Sequence, residues 1–471
     1  MAEKILVMKF GGTSVGSSES LLHVNQIIRN AKEEWPHVIV VVSALSGVTN
    51  LLLDCAENAA AGGTGIIKTT AQQLRDRHNH IITELIDDES AQLNTRAEID
   101  LLIEQFVNLC NAIRVLGEYT PRAMDAIVSL GERFSVRLIT AILLSKGLAA
   151  QYIDADKFLV TDEEFQNAHP DIDATKEKSN QEIIPVLEAG NIPVITGFIG
   201  TTKNGVTTTL GRGGSDYSAA LIASALDASE VWIWTDVNGV MTADPRLVPQ
   251  ARTINVLSYR EVAELAYFGA KVLHPKTIRP VIEAGIGLRV CNTFNPDQPG
   301  TRIISDVDNN FHGVIKAVTI IGQQQLITIE GRGMLGVPGV AARTFGAVAA
   351  TGTSVTLISQ ASSEQSICFT TPVHSTTSAI ESLKAAFSEE LERRDIDRIW
   401  ATDEVSIVTV VGAGMRNTPG IAGRVFSALG SKGVNVIAIA QGSSEVSISL
   451  IVDSDDAKPA LMSLHELVNF Q

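Results

Sequence analysis

Two glycine-rich loops, about 200 residues apart, constrain the fold of this chain more than any other feature of its sequence. KFGGTS spans residues 9–14 and ends a short apolar run, and LGRGGSD spans residues 210–216. Glycines let backbone N–H groups approach phosphate oxygens closely, and a helix N-terminus behind such a loop adds partial positive charge. Lys9 and Arg212 supply full positive charges. The pattern predicts one phosphate site assembled from both loops, so the fold must bring these distant segments together.

The spacing of the glycines disfavours the common nucleotide-binding folds, because neither loop matches GxxxxGK[ST] or GxGxxG. Short β-branched runs alternate with helix-length segments through the first 300 residues, which predicts an α/β fold with a mainly parallel sheet sandwiched by helices. Residues 64–133 lack strand signals and are predicted to form a helical subdomain, with residues 75–78 on its solvated surface. Strands are predicted at residues 5–9, 38–43, 193–198, 231–235 and 287–292.

The C-terminal part of the chain is an internal repeat. Residues 331–367 align without gaps on residues 412–448, and 18 of the 37 positions are identical. Each copy predicts a small α+β unit of about 70 residues. Polar residues repeated at a strand-to-turn junction, among them Gln360 and Gln441, favour a ligand site over packing alone. We predict three domains, at residues 1–300, 313–400 and 401–471, the last completed by a strand near residues 314–322.

Composition and charge exclude several kinds of partner. The 471 residues include 37 basic and 53 acidic ones, a formal net charge of −16, which argues against nucleic acid or an anionic membrane as the main partner. The four cysteines show no metal-ligand spacing, and no signal peptide or membrane-length apolar run is evident. We therefore expect a cytoplasmic protein with no metal site of its own. An acidic protein that binds a nucleotide must place its cations locally, which gives weight to Arg246 and Lys271.

Some loop residues are suited to reading an α-amino acid. Arg212 presents a rigid fork for a carboxylate or a phosphate, and Asp216 could orient it or accept a substrate ammonium. Glu132 is a second candidate ammonium acceptor, although a glutamate on a helix surface would give the same sequence. The loop at residues 43–50 ends the second predicted strand, and ligands of open α/β sheets collect at such ends. Thr235-Asp236 ends another strand and could hold a ribose or an adenine.

Together these motifs resemble those of the aspartate kinases, members of the amino acid kinase family with tandem C-terminal ACT domains. The resemblance covers essentially the whole chain and implies ACT domains of βαββαβ topology. It is carried by the repeated QxSSE and by KFGGTS (9–14), VVSALSGVTN (41–50), SLGERFS (129–135), TLGRGGSDYSAAL (209–221), WTDVNGVMTADPR (234–246) and FGAKVLHP (268–275).

The resemblance implies a role for each matching residue. The catalytic set would be Lys9, which contacts the transferring phosphate, with Gly11, Gly12 and Asp216. Aspartate would be bound by Ser43, Thr49, Glu132, Arg212, Gly213, Gly214 and Ser215. ATP would be contacted by Lys9, Thr235, Asp236, Met241, Arg246, Lys271 and Val272. Many members have tyrosine where this chain has Met241, which can still pack on adenine. An allosteric amino acid would contact Gln360, Ser362, Glu364 and Gln441.

The implied reaction needs little acid–base chemistry. It transfers the γ-phosphate of ATP to the β-carboxylate of L-aspartate, the first step towards lysine, threonine and methionine. That carboxyl ordinarily has a pKa of about 3.9, so it is ionised at neutral pH without a general base. Positioning and charge neutralisation should supply the catalysis. No acidic metal motif is present, so we expect Mg²⁺ to arrive with ATP.

The resemblance also implies feedback by an amino acid that binds at the ACT domains of a dimer or a tetramer. Lysine-sensitive members tend to carry an acidic residue in the ligand loop of the first copy, and residues 353–360 contain none. Threonine is therefore predicted over lysine. The chain resembles the kinase portion of bifunctional enzymes, but no dehydrogenase domain is expected after Gln471.

Two rival interpretations remain open. Kinases of acetylglutamate, glutamate or UMP would keep the glycine loops but should lack SLGERFS and the tandem repeat. A catalytically inactive amino-acid sensor would keep the repeat and lose Lys9 or Arg212, both of which are present.

Overall fold

The computed structural model describes residues 4–269, 273, 275–305, 315–334, 337–360, 365–416, 418–442 and 445–468. Four predicted site residues lie outside the described residues: Lys271, Val272, Ser362 and Glu364. The chain forms two compact units. The first contains residues 1–240, 253–259 and 272–305, and the second contains residues 241–252, 260–271 and 306–471.

The first unit is built on an eight-stranded sheet in the order β3-β5-β2-β1-β8-β10-β11-β9, and only the β10–β11 pair is antiparallel. The strands predicted from β-branched runs are confirmed, with ends shifted by no more than two residues. A small sheet, β4-β6-β7, accompanies it. The strands are β1 (Ile5–Phe10), β2 (His37–Val42), β3 (Ala150–Ile153), β4 (Val160–Thr161), β5 (Ile192–Thr196), β6 (Ile199–Thr202), β7 (Thr207–Thr209), β8 (Glu230–Thr235), β9 (Val256–Ser258), β10 (Gly287–Asn292) and β11 (Thr301–Ile304).

The helices of the first unit begin at residues that suit a helix start. Ser17 forms a capping box before α1, and Asp88 and Thr120 accept backbone N–H groups at the starts of α4 and α5. Gly117 ends α4 in a left-handed conformation. The helices are α1 (Ser18–Glu34), α2 (Val48–Ala60), α3 (Ile66–Leu85), α4 (Glu89–Leu116), α5 (Pro121–Val128), α6 (Leu130–Ser145), α7 (Ile172–Glu182), α8 (Ile184–Glu188), α9 (Gly214–Ala225) and α11 (Pro275–Ala284).

The surface assignment for residues 75–78 on α3 is wrong in part. His78 is fully buried, and burial lowers its pKa to about 4, so its ring is neutral at physiological pH. Arg77 is half-buried. The sequence shows only four polar residues in a row, whereas the packing of α3 on its neighbours decides which of them are covered.

The second unit is a six-stranded antiparallel sheet in the order β13-β14-β12-β15-β17-β16. Residues 317–321 of the first long strand pair with residues 407–411 of the second, and residues 324–330 pair with residues 398–405. Each long strand therefore serves both copies of the repeat. The strands are β12 (Ala317–Glu330), β13 (Ile358–Gln360), β14 (Ser366–Pro372), β15 (Arg398–Val411), β16 (Ala438–Ala440) and β17 (Ser447–Asp453). The helices are α10 (Tyr259–Tyr267), α12 (Val340–Ala349), α13 (Val373–Ala386), α14 (Ser388–Arg393), α15 (Ile421–Ser431) and α16 (Ala457–His465).

Helix α10 lies in the second unit from its second residue onward and is fixed there by polar contacts. The Glu261 carboxylate is fully buried, lies 2.9 Å from Lys316 Nζ and accepts a hydrogen bond from the backbone N–H of Ala413 at 2.7 Å. Ser447 donates to Glu264 at 2.6 Å. The segment before the repeat is thus integrated into the repeat's own fold.

Candidate active site

The predicted loops meet at one edge of the main sheet. Strands β1, β2, β5 and β8 run parallel, so their carboxyl ends lie side by side. The loops after β1 and β2 are joined by a hydrogen bond from Ser46 N to Gly12 O of 3.1 Å. A cavity of about 380 Å³ opens here. It is lined by Lys9, Gly12, Ser43, Ala44, Leu45, Ser46, Gly47, Thr49, Asn50, Glu132, Phe198, Gly211, Gly213, Gly214, Ser215 and Asp216.

Most of the predicted catalytic and aspartate-binding residues therefore share one cavity. Asn50, Ser46 and Phe198 also line it and were not among the predicted contacts. The first two belong to the VVSALSGVTN motif, which could have suggested them. Phe198 has a φ of +68°, and no local signal in the sequence indicates it.

Lys9 and Asp216 form an ion pair inside this cavity. Lys9 Nζ lies 2.6 Å from Asp216 Oδ1, and the two side chains are only 11% and 18% exposed. Asp216 lies in the first turn of α9, where the helix dipole favours a negative charge. The pair places the lysine charge beside the N-terminus of a helix, an arrangement suited to anion binding.

The glycines of the first loop allow close approach of the backbone. A Cβ on Gly12 would lie 3.0 Å from the Ala44 carbonyl oxygen, so a side chain there would push the two loops apart. A Cβ on Gly11 would lie 3.6 Å from Lys9 Nζ. Gly11 therefore keeps space free around Lys9, and Gly12 lets the loop after β2 approach closely.

Glu132 is not a surface residue, which settles the structural ambiguity left by the sequence. Its side chain is buried, and Oε1 accepts a hydrogen bond from Ala44 N at 3.1 Å. Within the described part of the chain, Oε2 has no hydrogen-bond partner. Burial raises the pKa of Glu132 to about 8, although the Ala44 N–H and the charge of Lys9 oppose the rise. A buried carboxyl oxygen is thus available to hydrogen-bond with a bound molecule, and it accepts a hydrogen bond from an ammonium when the group is ionised.

Two arginines on α6 fix the helix that carries Glu132, and the sequence motifs gave no role to either. Arg133 lies 2.6 Å from Asp156 and 3.3 Å from Asp154. Arg137 lies 3.0 Å from the same Asp154. Charge-assisted contacts of this kind hold α6 in register with the loop after β3.

The second glycine loop is anchored by an acid that sequence reasoning missed. Asp125 is fully buried and accepts hydrogen bonds from Thr209 Oγ1 at 2.7 Å and from Thr209 N and Gln166 N at 3.0 Å. Thr209 ends β7, directly before the loop. Arg212 is exposed between the left-handed Gly211 and Gly213 and does not line the cavity, although both glycines do.

The predicted nucleotide contacts are divided between the two units. Thr235 ends β8 and Asp236 follows it, and because Gly11 N donates to Trp234 O at 3.1 Å, both lie at the same sheet edge as the first loop. Met241 and Arg246 belong to the second unit, where Arg246 is exposed and lies 2.6 Å from Asp244. Their contact with ATP stays a prediction.

A second cavity, of about 340 Å³, lies in the first copy of the repeat. Gln360, one of the predicted effector contacts, lines it, whereas Gln441 is exposed in the second copy. The other lining residues are Met334, Val337, Pro338, Gly339, Val340, Ala341 and Ile367. Among the described residues, none that lines this cavity is charged.

Comparison with known proteins identifies the family. The amino acid kinase family model matches residues 4–292, and an ACT domain model matches residues 327–387 and 408–467. Lysine-sensitive aspartokinase 3 of Escherichia coli is 33% identical over 98% of this chain and 98% of that protein. Bifunctional aspartokinase/homoserine dehydrogenase 2 of Arabidopsis thaliana is 35% identical over 98% of this chain. The chain spans only 50% of that relative's length.

Solved structures agree with this assignment. E. coli aspartokinase III in complex with aspartate and ADP superimposes with a TM-score of 0.80 at 33% identity, over 98% of this chain and 99% of that one. Clostridium acetobutylicum aspartate kinase superimposes with a TM-score of 0.81 at 27% identity, over 98% of this chain and 100% of that one. The chain belongs to the amino acid kinase family and, within it, to the aspartokinases with C-terminal ACT domains. The resemblance and the fold class inferred from the motifs are confirmed. No helix in the described ranges is long and apolar enough to cross a membrane.

Proposed function

We propose that this protein transfers the γ-phosphate of ATP to the β-carboxylate of L-aspartate to give 4-phospho-L-aspartate. The observation that carries the proposal is the cavity in which Lys9, the N-terminus of α9 and the unsatisfied Glu132 oxygen lie together. Such a site can bind phosphates at one end and a substrate ammonium at the other. The E. coli relative has been solved with aspartate and ADP, which supports the same pair of ligands here.

The reaction follows from positioning and charge. A β-carboxylate oxygen attacks the γ-phosphorus, the bond to the β,γ-bridging oxygen breaks, and ADP leaves with the electron pair. The attacking carboxylate is already ionised, so no protein base is required. Lys9 and the N–H groups at the start of α9 would stabilise the charge that accumulates on phosphoryl oxygens.

The cavity is poorly suited to a metal site made by the protein. Glu132 and Asp216 are the acidic residues among those that line it, and Asp216 is already paired with Lys9. We therefore infer that Mg²⁺ enters with ATP and is held chiefly by phosphate oxygens and water.

The test is an assay of ADP release with Mg·ATP and a panel of aspartate, glutamate, acetylglutamate and UMP. We expect turnover with aspartate alone. Turnover with another acceptor would assign the protein to a different kinase specificity, and binding without any turnover would support the inactive sensor.

The raised pKa of Glu132 predicts that aspartate binding depends on pH. Below pH 8 the free carboxyl is mostly protonated and cannot pair with the substrate ammonium. The apparent Kd for aspartate should therefore fall about ninefold from pH 6 to pH 7 and about fivefold from pH 7 to pH 8, then level off. Titration calorimetry in two buffers of different ionisation enthalpy should show release of close to one proton per aspartate bound at pH 7.

Glu132→Gln separates this effect from general pH dependence. The variant should weaken aspartate binding roughly 10- to 100-fold at pH 8 and abolish the proton release. Glu118→Gln, on an exposed residue, is the matched control and should bind as wild type does. Unchanged proton release in Glu132→Gln would show that the carboxyl does not accept the ammonium.

We propose threonine as the feedback inhibitor. The cavity around Gln360 offers a side-chain amide and apolar contacts, and the described residues that line it provide no carboxylate for a lysine ammonium. Burying an unpaired ammonium is costly, whereas a threonine hydroxyl and methyl suit such a lining. Lysine remains the alternative, because E. coli aspartokinase III has been solved with lysine.

Inhibition curves with threonine and with lysine decide between these effectors. We expect threonine to inhibit, Gln360→Ala to raise its half-inhibitory concentration about tenfold, and activity without effector to stay unchanged. Gln441→Ala tests the second copy in the same way. Inhibition by lysine alone would overturn the assignment.

We further propose a dimer that forms through the ACT domains. The end strands of the sheet, β13 and β16, expose Ile358 and Ile439, at 50% and 44%, and Ser359 Oγ donates to Ile439 O at 3.3 Å between them. Such edges favour pairing with a second copy. Sedimentation should show a dimer or a tetramer that dissociates when Ile358 and Ile439 are replaced by lysine.

A further inference from the structure

Helix α3 places an arginine at the point where the two loops after β1 and β2 meet. Arg77 Nη2 donates a hydrogen bond to the Gly16 carbonyl oxygen at 3.2 Å. Arg77 Nη1 lies 3.9 Å from the position that a Cβ on Gly47 would occupy. Gly16 closes the first loop, and Gly47 lines the cavity at the start of α2. One guanidinium is thus hydrogen-bonded to the loop after β1 and lies next to Gly47 of the loop after β2.

The charge of Arg77 is not balanced by a carboxylate. Within the described ranges, no acidic oxygen lies within ion-pairing distance of its guanidinium, whereas Arg75 on the same helix lies 2.7 Å from Asp100. Arg77 is also half-buried, and burial lowers its pKa. A partly desolvated cation without a counter-ion is unfavourable for stability alone, so its position calls for another reason.

The two loops are in direct contact beside Arg77. Ser46 N donates to Gly12 O at 3.1 Å, and a Cβ on Gly16 would lie 3.1 Å from Ser46 Cβ. Gly12 and Ser46 both line the cavity. We therefore expect a displacement of one loop at this junction to disturb the other.

We propose that Arg77 is a positioning residue, which holds the phosphate-binding loop at residues 11–16 against the aspartate-binding loop at residues 43–50. It acts through backbone carbonyl and loop contacts rather than by touching the reacting atoms. Its uncompensated charge also adds positive potential next to the phosphate end of the cavity. This inference rests on the proposed function of the cavity, because that function assigns the two loops to the two substrates.

The kinetic test compares Arg77→Met, Arg77→Lys and Arg75→Met. Without Arg77 the two loops should no longer be held together, and both substrates should be misplaced. Arg77→Met should therefore lower kcat/KM for Mg·ATP and for aspartate together, by about 100-fold. Arg77→Lys keeps the charge but cannot reach both loops, so it should recover only a small part. Arg75→Met, on the same helix but paired with Asp100, should stay within about twofold of wild type.

Chemical rescue distinguishes positioning from loss of stability. Guanidinium ion at millimolar concentration should restore part of the turnover of Arg77→Ala and should not affect Arg75→Ala. Thermal melting of each variant shows whether the fold persists. Should Arg77→Met or Arg77→Ala fail to fold, Arg77→Lys alone carries the test, and wild-type kinetics in it would overturn the proposal.

Hydrogen exchange in the ligand-free protein tests whether Arg77 holds the two loops together, without reference to activity. The Ser46 amide, which is protected by Gly12 O, should exchange faster in Arg77→Met than in Arg75→Met. Unchanged exchange together with unchanged kcat/KM would overturn the proposal. If the Ser46 amide exchanged faster in Arg77→Met but the wild-type protein did not phosphorylate aspartate, the proposed function would be wrong. The role of Arg77 in holding the two loops together would still be supported.

Discussion

Lys9→Ala is expected to lower turnover by on the order of 10³-fold while leaving aspartate affinity within a few-fold of wild type. Lys9 is the buried cation of the cavity, at the carboxyl end of β1 and 2.6 Å from Asp216. Stabilisation by a fixed charge matters most when negative charge develops on the transferring group, so its loss should appear in kcat. The ammonium acceptor Glu132 remains in place.

The measurement combines steady-state ADP release with calorimetric titration of aspartate. Because the charge of Lys9 lowers the pKa of Glu132, the variant should need a higher pH to ionise that carboxyl, so each affinity should be taken at the pH where aspartate binding has levelled off. Lys4→Ala, on an exposed lysine just before the same strand, is the control and should leave turnover and aspartate affinity unchanged. Turnover close to wild type in Lys9→Ala would refute the catalytic assignment.

Lys316→Met is expected to destabilise the second unit by about 3 kcal/mol. Glu261 is fully buried, and Lys316 lies 2.9 Å from its carboxylate with only 13% of the lysine side chain exposed. Removing the cation leaves a buried carboxylate whose remaining contacts, among them the Ala413 N–H, must carry the charge.

Urea denaturation followed by circular dichroism measures this change. The expected result is a lower midpoint for the transition of the second unit. Glu261→Gln combined with Lys316→Met should recover much of the loss, because the uncompensated charge is then gone. Lys432→Met, on an exposed lysine of the same unit, should leave the midpoint unchanged. If Lys316→Met alone were as stable as wild type, the ion pair between Lys316 and Glu261 would not contribute to stability.

Features with a local signal could be predicted from the sequence. The strands carry β-branched runs, and the glycine loops carry residues that only particular turns require, so β1, β2, β5, β8 and β10 were found within two residues. The internal repeat and the family motifs fixed the two kinds of domain. The residue types in a short stretch of sequence were sufficient to predict these features, because backbone preferences act over a few residues.

Features that depend on the surroundings of a side chain could not be predicted. By sequence alone Glu132 could equally be a surface glutamate, and it is the packing of α6 on the loop after β2 that buries it. Asp125 lies in an ordinary helical stretch, and Arg77 lies in a polar run that by itself predicts a solvated surface. The contacts of these residues join positions that are 61 to 88 residues apart in the chain.

The sequence by itself determined that this chain has two phosphate-type loops, a parallel sheet to carry them and a duplicated C-terminal module. Only the tertiary structure decided which charges are paired, which are buried and which remain available to a ligand. Burial and electrostatic balance are properties of the whole packed environment, and they arise when distant segments exclude water from the same small volume.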